Sequence, residues 1–241
     1  MNSEQGAVAT VLSQETERRY PISEIFTSVQ GEGLYTGVAM TFVRFSGCSV
    51  GRPVKDPDPN EPVYRELCHS WDGRSFLCDT DFRRKMVRTT SELLSEIPKL
   101  PQRVCFTGGE PLNQNLKDLA LSLVSRGQII HVETSGTVIF PPWMAAMRSD
   151  NLWLTVSPKA PLLLEQLWFA DEIKLLVDAQ FNLEEADRIA AYVGDRTTIW
   201  IQPINTEWEL DRSNLAQCLA LLQQRPMWRL SSQMHKIWKV R

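Results

Sequence analysis

RVCFTGGEP, residues 103–111, is a short apolar run that stops at two glycines and an acid. Arg103 to Phe106 reads as a buried strand, and the residues beyond the turn read as a helix from about Leu116 to Ser125. That helix closes at Gly127, a residue suited to a helix C-terminus. Strand, turn and helix make one βα unit, and the alternation continues outward. Downstream come strand Ile129 to Glu133, a helix near Pro142 to Met147, strands Trp153 to Ser157 and Glu172 to Leu176, a helix from Leu183 to Val193, strand Thr198 to Gln202, helix Ser213 to Gln224 and a short terminal strand. Upstream, Ser91 is a candidate cap for a helix holding Leu93, Leu94 and Ile97. Ile22 to Phe26 and Ala39 to Phe45 are β-rich segments around the loop Gln30-Gly31-Glu32-Gly33. Repeated βα units imply a parallel sheet with right-handed crossovers, here a partial (β/α)6 barrel-like α/β fold.

In such folds the chemistry sits at the carboxyl ends of the strands. Cys48 follows the first strand, Gly108 and Glu110 the second, Glu133 and Ser135 the third, and Ser157 and Lys159 the fourth. Lys174 lies on the fifth and Gln202 ends the sixth. Six successive strand ends with polar groups point to a site rather than to packing.

Three of the five cysteines, Cys48, Cys68 and Cys78, cluster in the first third of the chain. Five thiols in a chain of 241 residues do not make a disulfide framework. Three thiolates can hold a [4Fe–4S] cluster and leave one iron open to a ligand that is not protein. The Gly-Gly-Glu turn offers bare backbone and one carboxylate, which suits a bound amino group and so S-adenosylmethionine (SAM) on that iron. The competing reading is a structural zinc site with His69 or His131 as fourth ligand. Cys105 and Cys218 sit in apolar surroundings and read as core thiols.

Between the first two cysteines, Pro53, Pro57, Pro59 and Pro62 crowd among acids and amides, so Ser49 to Phe76 reads as a long Pro-rich insertion in the cluster-binding loop. Residues 1–19 are polar and read as a flexible N-terminal arm, and 20–241 as one catalytic domain. A net charge of −3 from interspersed charges argues against nucleic acid as partner. No apolar run approaches the ~20 residues of a membrane span, so a cytoplasmic protein with a small-molecule substrate is expected.

FTSVQGEG (26–33), RFSGC (44–48), CDT (78–80), TGGEP (107–111), ETSG (133–136), SPK (157–159) and QMHK (233–236) occur in one order, and together they resemble the 7-carboxy-7-deazaguanine synthase family of radical SAM enzymes. The resemblance spans about residues 20–241. It implies a carbon–nitrogen lyase that turns 6-carboxy-5,6,7,8-tetrahydropterin into 7-carboxy-7-deazaguanine and ammonia, in queuosine and deazapurine biosynthesis. Cys48, Cys68 and Cys78 would then hold the cluster. Leu77, Asp79, Gly109, Glu110, Ser157, Lys159 and Gln202 would face SAM, and Thr80 would ligate Mg2+. Val29, Gln30, Gly31, Arg44 and Thr107 would contact the pterin, with Arg44 suited to its carboxylate. The resemblance also implies a flavodoxin or ferredoxin as electron donor and a homodimer. The spacing departs from the family. Gaps of nineteen and nine residues separate the cysteines, and Ser75 stands where the second is expected, so Cys68 has to loop back to serve. A glycyl-radical activase would share the cysteines and the Gly-Gly-Glu turn, whereas the Gln30–Gly33 loop, Arg44 and Thr80 favour a pterin pocket.

Overall fold

The computed structural model describes residues 17–53, 66–78, 80, 81, 83–148, 150–205 and 209–240. Strands are β1 (Arg19–Val29), β2 (Ala39–Phe45), β3 (Arg52–Pro53), β4 (Glu66–His69), β5 (Ser75–Leu77), β6 (Met86–Thr89), β7 (Arg103–Gly108), β8 (Ile129–Thr134), β9 (Leu152–Val156), β10 (Glu172–Val177), β11 (Thr198–Pro203) and β12 (Arg229–Leu230). Helices are α1 (Thr90–Glu96), α2 (Lys117–Ser125), α3 (Trp143–Met147), α4 (Leu183–Ala190), α5 (Arg212–Gln224) and α6 (Met234–Trp238).

The nine-stranded main sheet runs β12-β11-β10-β9-β8-β7-β2-β1-β6. The six strands expected from the sequence are there as consecutive parallel neighbours, β2 to β11. Its edges, β6 and β12, do not pair with each other, so among the described strands the sheet is open rather than a closed barrel. The antiparallel extension by β1 and β6 is an addition to the βα plan. β1 folds back on β2 through the Gln30–Gly37 turn, and β6 pairs with Arg19–Ile22. Residues 17–19 are therefore tied down: Glu17 accepts from the Ser91 amide at 2.5 Å and Arg19 opens β1. The cap of α1 is Thr89 rather than Ser91. Its hydroxyl accepts from the Glu92 amide, and the Glu92 carboxylate accepts from the Thr89 amide.

Strand alternation separates core from site. Val43, Phe45, Val104, Phe106, Ile130, Val132, Leu154, Val156, Ile173, Leu175 and Ile201 are buried on one face against helices that contribute Leu93, Leu119, Leu123, Met144, Ile189 and Leu221. The residues between them carry the opposite face. It begins with a small apolar cluster of Met40, Phe42 and Cys105, and ends in Arg44, Thr107, Glu133, Thr155, Lys174 and Gln202. Register brings these ends level, with Arg44 opposite Thr107 and Glu133 opposite Thr155. Trp168 and Trp238 are exposed, although a large ring usually packs in a core.

The second half of the long loop is not irregular. β3, β4 and β5 form a separate antiparallel sheet, and the β4–β5 turn is closed by Gly73 at φ +86° with the Ser70 amide donating to the Arg74 carbonyl at 2.8 Å. Residues 54–65, with Pro57, Pro59 and Pro62, lie outside the described residues.

Candidate active site

The polar face opens into a cavity of about 690 Å³, in the size range of small-molecule sites. Cys48, Cys68 and Cys78 all reach its wall. Cys48 stands in the turn after β2, where the Val50 and Gly51 amides both donate to its Sγ at 3.4 Å. Cys68 pairs with Phe76 across the hairpin, so Cys68, Phe76 and Cys78 share one face of it. The strands thus bring together thiols that nine residues separate. Among the described residues no three His, Cys, Asp or Glu gather closely enough to hold a single metal ion. A cluster of several irons takes thiolates set wider apart.

The Gly-Gly turn meets the cysteine loop backbone to backbone. Gly109 donates to the Phe45 carbonyl at 3.2 Å and Glu110 to the Gly47 carbonyl at 3.0 Å. A Cβ on Gly109 would stand 1.9 Å from the Gly47 oxygen, and Gly108, at φ +128°, has the Phe45 oxygen 2.2 Å from its own missing Cβ. Glycine is required here by this contact as well as by any ligand. Glu110 is fully buried and lies beneath the wall rather than on it. Its carboxylate accepts from the Leu112 amide at 3.1 Å, the Thr134 hydroxyl at 2.8 Å, and the amide (2.8 Å) and hydroxyl of Ser135. Its sequence-derived contact with an amino group would therefore run through Thr134 and Ser135, which it orients and which do line the cavity.

Ser157 and Lys159 line the cavity after β9, the Lys159 ammonium donating to the Ser157 hydroxyl at 2.8 Å and lying 5.6 Å from the Phe76 ring. Leu77 and Thr80 line it beside Cys78, while Asp79 lies outside the described residues. Arg44 donates from Nε to Glu24 at 2.8 Å and from a terminal nitrogen to the Thr80 hydroxyl at 3.4 Å. It is both half of an ion pair and a donor facing the cavity. Glu133 accepts from Gln30 at 3.0 Å and from the Thr107 hydroxyl at 2.8 Å, so one carboxylate fixes both. Val29 and Gly31 complete this side. A Cβ on Gly31 would stand 2.1 Å from the His235 ring, because α6 lies across this loop with Met234 donating to the Gly31 carbonyl.

Sequence reasoning missed the pairing of Glu32 with Lys174, which are 142 residues apart. Gln202 donates to the other Glu32 oxygen at 3.1 Å and accepts from Ser231 at 2.8 Å, so it braces the loop as well as lining the cavity. Burial opposes charge on Lys174, but Glu32, Glu133 and Glu172 outweigh it and hold the ammonium pKa above its usual range. The signal in the sequence was a lysine within the strand Glu172–Val177, which is apolar beyond Glu172 and Lys174.

A parallel sheet that opens a polar cavity at its carboxyl ends, with three thiols on the wall, has the layout of a radical SAM enzyme. No family model matches the chain. The 7-carboxy-7-deazaguanine synthase of Synechocystis sp. is 30% identical over 225 residues, covering 92% of this chain and 94% of that protein. The 7-carboxy-7-deazaguanine synthase of Escherichia coli strain K12 is 32% identical over 238 residues, covering 90% and 97%. The crystal structure of QueE from Escherichia coli superposes with a TM-score of 0.67 at 28% identity, covering 90% of this chain and 95% of that one. The chain belongs to the 7-carboxy-7-deazaguanine synthase family.

Proposed function

We propose that the chain converts 6-carboxy-5,6,7,8-tetrahydropterin to 7-carboxy-7-deazaguanine and ammonia, as a carbon–nitrogen lyase of queuosine and deazapurine biosynthesis. The supporting observation is that three thiols and the Gln30–Thr107–Glu133 set line one cavity in a chain whose full-length relatives carry that name. Cys48, Cys68 and Cys78 fit a [4Fe–4S] cluster by donor type and by the two amides already directed at Cys48 Sγ. When bound, that cluster and SAM supply the hydrogen-abstracting radical chemistry.

The chain's own residues bind and orient. Gly109, Ser135, Ser157, Lys159 and the backbone at Leu77 surround the place for SAM, with Asp79 and Gln202 as further contacts. Thr80 and a substrate carboxylate supply hard oxygen donors for Mg2+, and the Arg44 guanidinium beside Thr80 neutralises that carboxylate. Val29, Gln30, Gly31 and Thr107 form the pterin edge, where Glu133 fixes the side chains of Gln30 and Thr107. The open edges β6 and β12 suit a homodimer, and a flavodoxin or ferredoxin of the cytoplasm would be the electron donor. No helix among the described residues is long and apolar enough to cross a membrane.

Anaerobic reconstitution with iron and sulfide, followed by reductant, SAM, Mg2+ and the tetrahydropterin, should give 7-carboxy-7-deazaguanine by mass. Appearance of 5′-deoxyadenosine without that product would overturn the substrate, and failure to bind iron would overturn the class of chemistry.

A further inference from the structure

Arg74 sits in the β4–β5 turn, between the two distal cysteines, and is buried although it does not line the cavity. Its guanidinium has three acceptors: Nε donates to Asp72 at 2.6 Å, one terminal nitrogen to Asp178 at 2.6 Å, and the other to the Leu176 carbonyl at 2.8 Å. The Phe181 ring lies 5.4 Å from the guanidinium carbon, and Trp71 meets that ring edge-on. Leu176 and Asp178 belong to the end of β10, about a hundred residues on.

Trp71 also packs against the main core, but the hairpin's own sheet is small. β4 and β5 have four and three residues, and their sheet partner is the two-residue β3. A sheet that small is not stable by itself. Beyond Arg74, the described main-chain anchors to the large sheet are on the loop after β9, where the Ala160 amide donates to the His69 carbonyl at 3.1 Å and Ser70 bridges Lys159.

We propose that Arg74 is a positioning residue for the iron–sulfur cluster: by fastening the hairpin to the end of β10, it presents Cys68 to the cluster at a spacing that the chain alone would not hold in place. This rests on Cys68 and Cys78 being cluster ligands. The guanidinium spreads its donors over three nitrogens in one plane and so reaches two carboxylates and a carbonyl on different segments, a span that the single nitrogen of a lysine does not reproduce.

The experiment compares full-length wild type, Arg74→Met, Arg74→Lys, Asp178→Asn and Cys68→Ala after anaerobic reconstitution. It reads iron and sulfide per chain, the rate of iron loss to a chelator, and the electron paramagnetic resonance spectrum of the reduced cluster with and without SAM. Removing outer support of a metal site typically weakens holding tenfold to a hundredfold. Arg74→Met should therefore lose iron roughly tenfold faster and show a broadened, altered spectrum, with Arg74→Lys restoring only part of each. Should Arg74→Met fail to fold by circular dichroism, Asp178→Asn carries the test with a smaller shift in the same direction. Wild-type iron retention and spectra in a folded Arg74→Met, or in Asp178→Asn where Arg74→Met does not fold, would overturn the role of Arg74. Full cluster content in Cys68→Ala would instead overturn the ligand assignment beneath it, and the proposal with it.

Discussion

The cavity is bounded by two regions built in different ways. Thr107, Glu133, Thr155, Lys174 and Gln202 stand on neighbouring strands of a nine-stranded sheet whose other face is the hydrophobic core, so their positions follow from strand register. Cys68 and Cys78 stand on and just after a hairpin of seven strand residues, four in β4 and three in β5, whose described contacts with the rest of the protein include the Arg74 guanidinium, Trp71 and the loop after β9. A side chain on the wall is held by the fold, whereas a thiol on the hairpin is held by particular contacts. Substitutions on the hairpin should therefore change metal content with little effect on the fold, and substitutions on the wall should do the reverse.

The largest effect expected is at the thiols. Cys78→Ala and Cys68→Ala should each drop iron per chain to a small fraction of wild type while the far-ultraviolet circular dichroism stays unchanged, since neither residue belongs to the main core cluster. Loss of helical signal in either variant would mean that hairpin and sheet fold as one unit.

Next comes the wall. Lys174→Met takes the ammonium away from the part-buried Glu32 carboxylate, and removing one partner of a buried pair costs about 3–5 kcal/mol. For a domain of this size that is a fall in melting temperature of roughly 10 °C, measured by calorimetry on the apoprotein. A Lys174→Met, Glu32→Gln double variant should recover part of it, since the stranded charge is gone.

The difference between the regions also governs what a reader of the sequence could see. The six parallel strands were legible because each is an apolar run followed by a polar residue, and the alternation that makes a strand amphipathic also tells which residues face the cavity. What was not legible depends on contacts between distant segments. Glu32 meets Lys174 across 142 residues and Arg74 meets Asp178 across 104, and no local pattern announces either. The β4–β5 hairpin was hidden behind the prolines of its own loop, since strands of three or four residues carry almost no periodic signal. Gly108 and Gly109 were legible as a turn, but the close approaches of the Phe45 and Gly47 carbonyls that require them exist only once β2 and β7 are paired. Thr89 was passed over as the cap of α1 in favour of Ser91 because both are good caps, and the pairing of β6 with β1 decides where the strand stops.

The wall side of the sheet also has an acid weakness. His131 lies buried on the cavity-side face of β8, where Arg103 donates to its Nε2 at 2.7 Å, and burial followed by the Arg103 charge lowers its pKa to about 3. Unfolded, the imidazole titrates near 6.5, so between about 6.5 and 3 the unfolded chain binds the extra proton. Stability from this residue is complete above about pH 6.5 and falls as pH drops through that window, by up to roughly 4 kcal/mol at pH 3. Urea midpoints of the apoprotein should fall with acid, and His131→Phe should flatten the slope; an unchanged slope would place the acid sensitivity elsewhere.

The smallest effect tests whether distance from the cavity matters. Thr89 caps α1 at the outer edge of the sheet and exchanges hydrogen bonds with Glu92 in a reciprocal box. Thr89→Ala removes the hydroxyl that the Glu92 amide donates to, and such caps contribute about 1 kcal/mol. Because β6, which ends at this cap, pairs among the described strands with β1 alone, the loss should appear as a melting shift of roughly 2–4 °C without any change in iron content or in the spectrum of the reduced cluster. If iron retention fell along with stability, the hairpin would be reporting on the whole fold. Its dependence on Arg74 would then be one case of a general weakness, and the contrast between a wall held by register and a hairpin held by contacts would collapse.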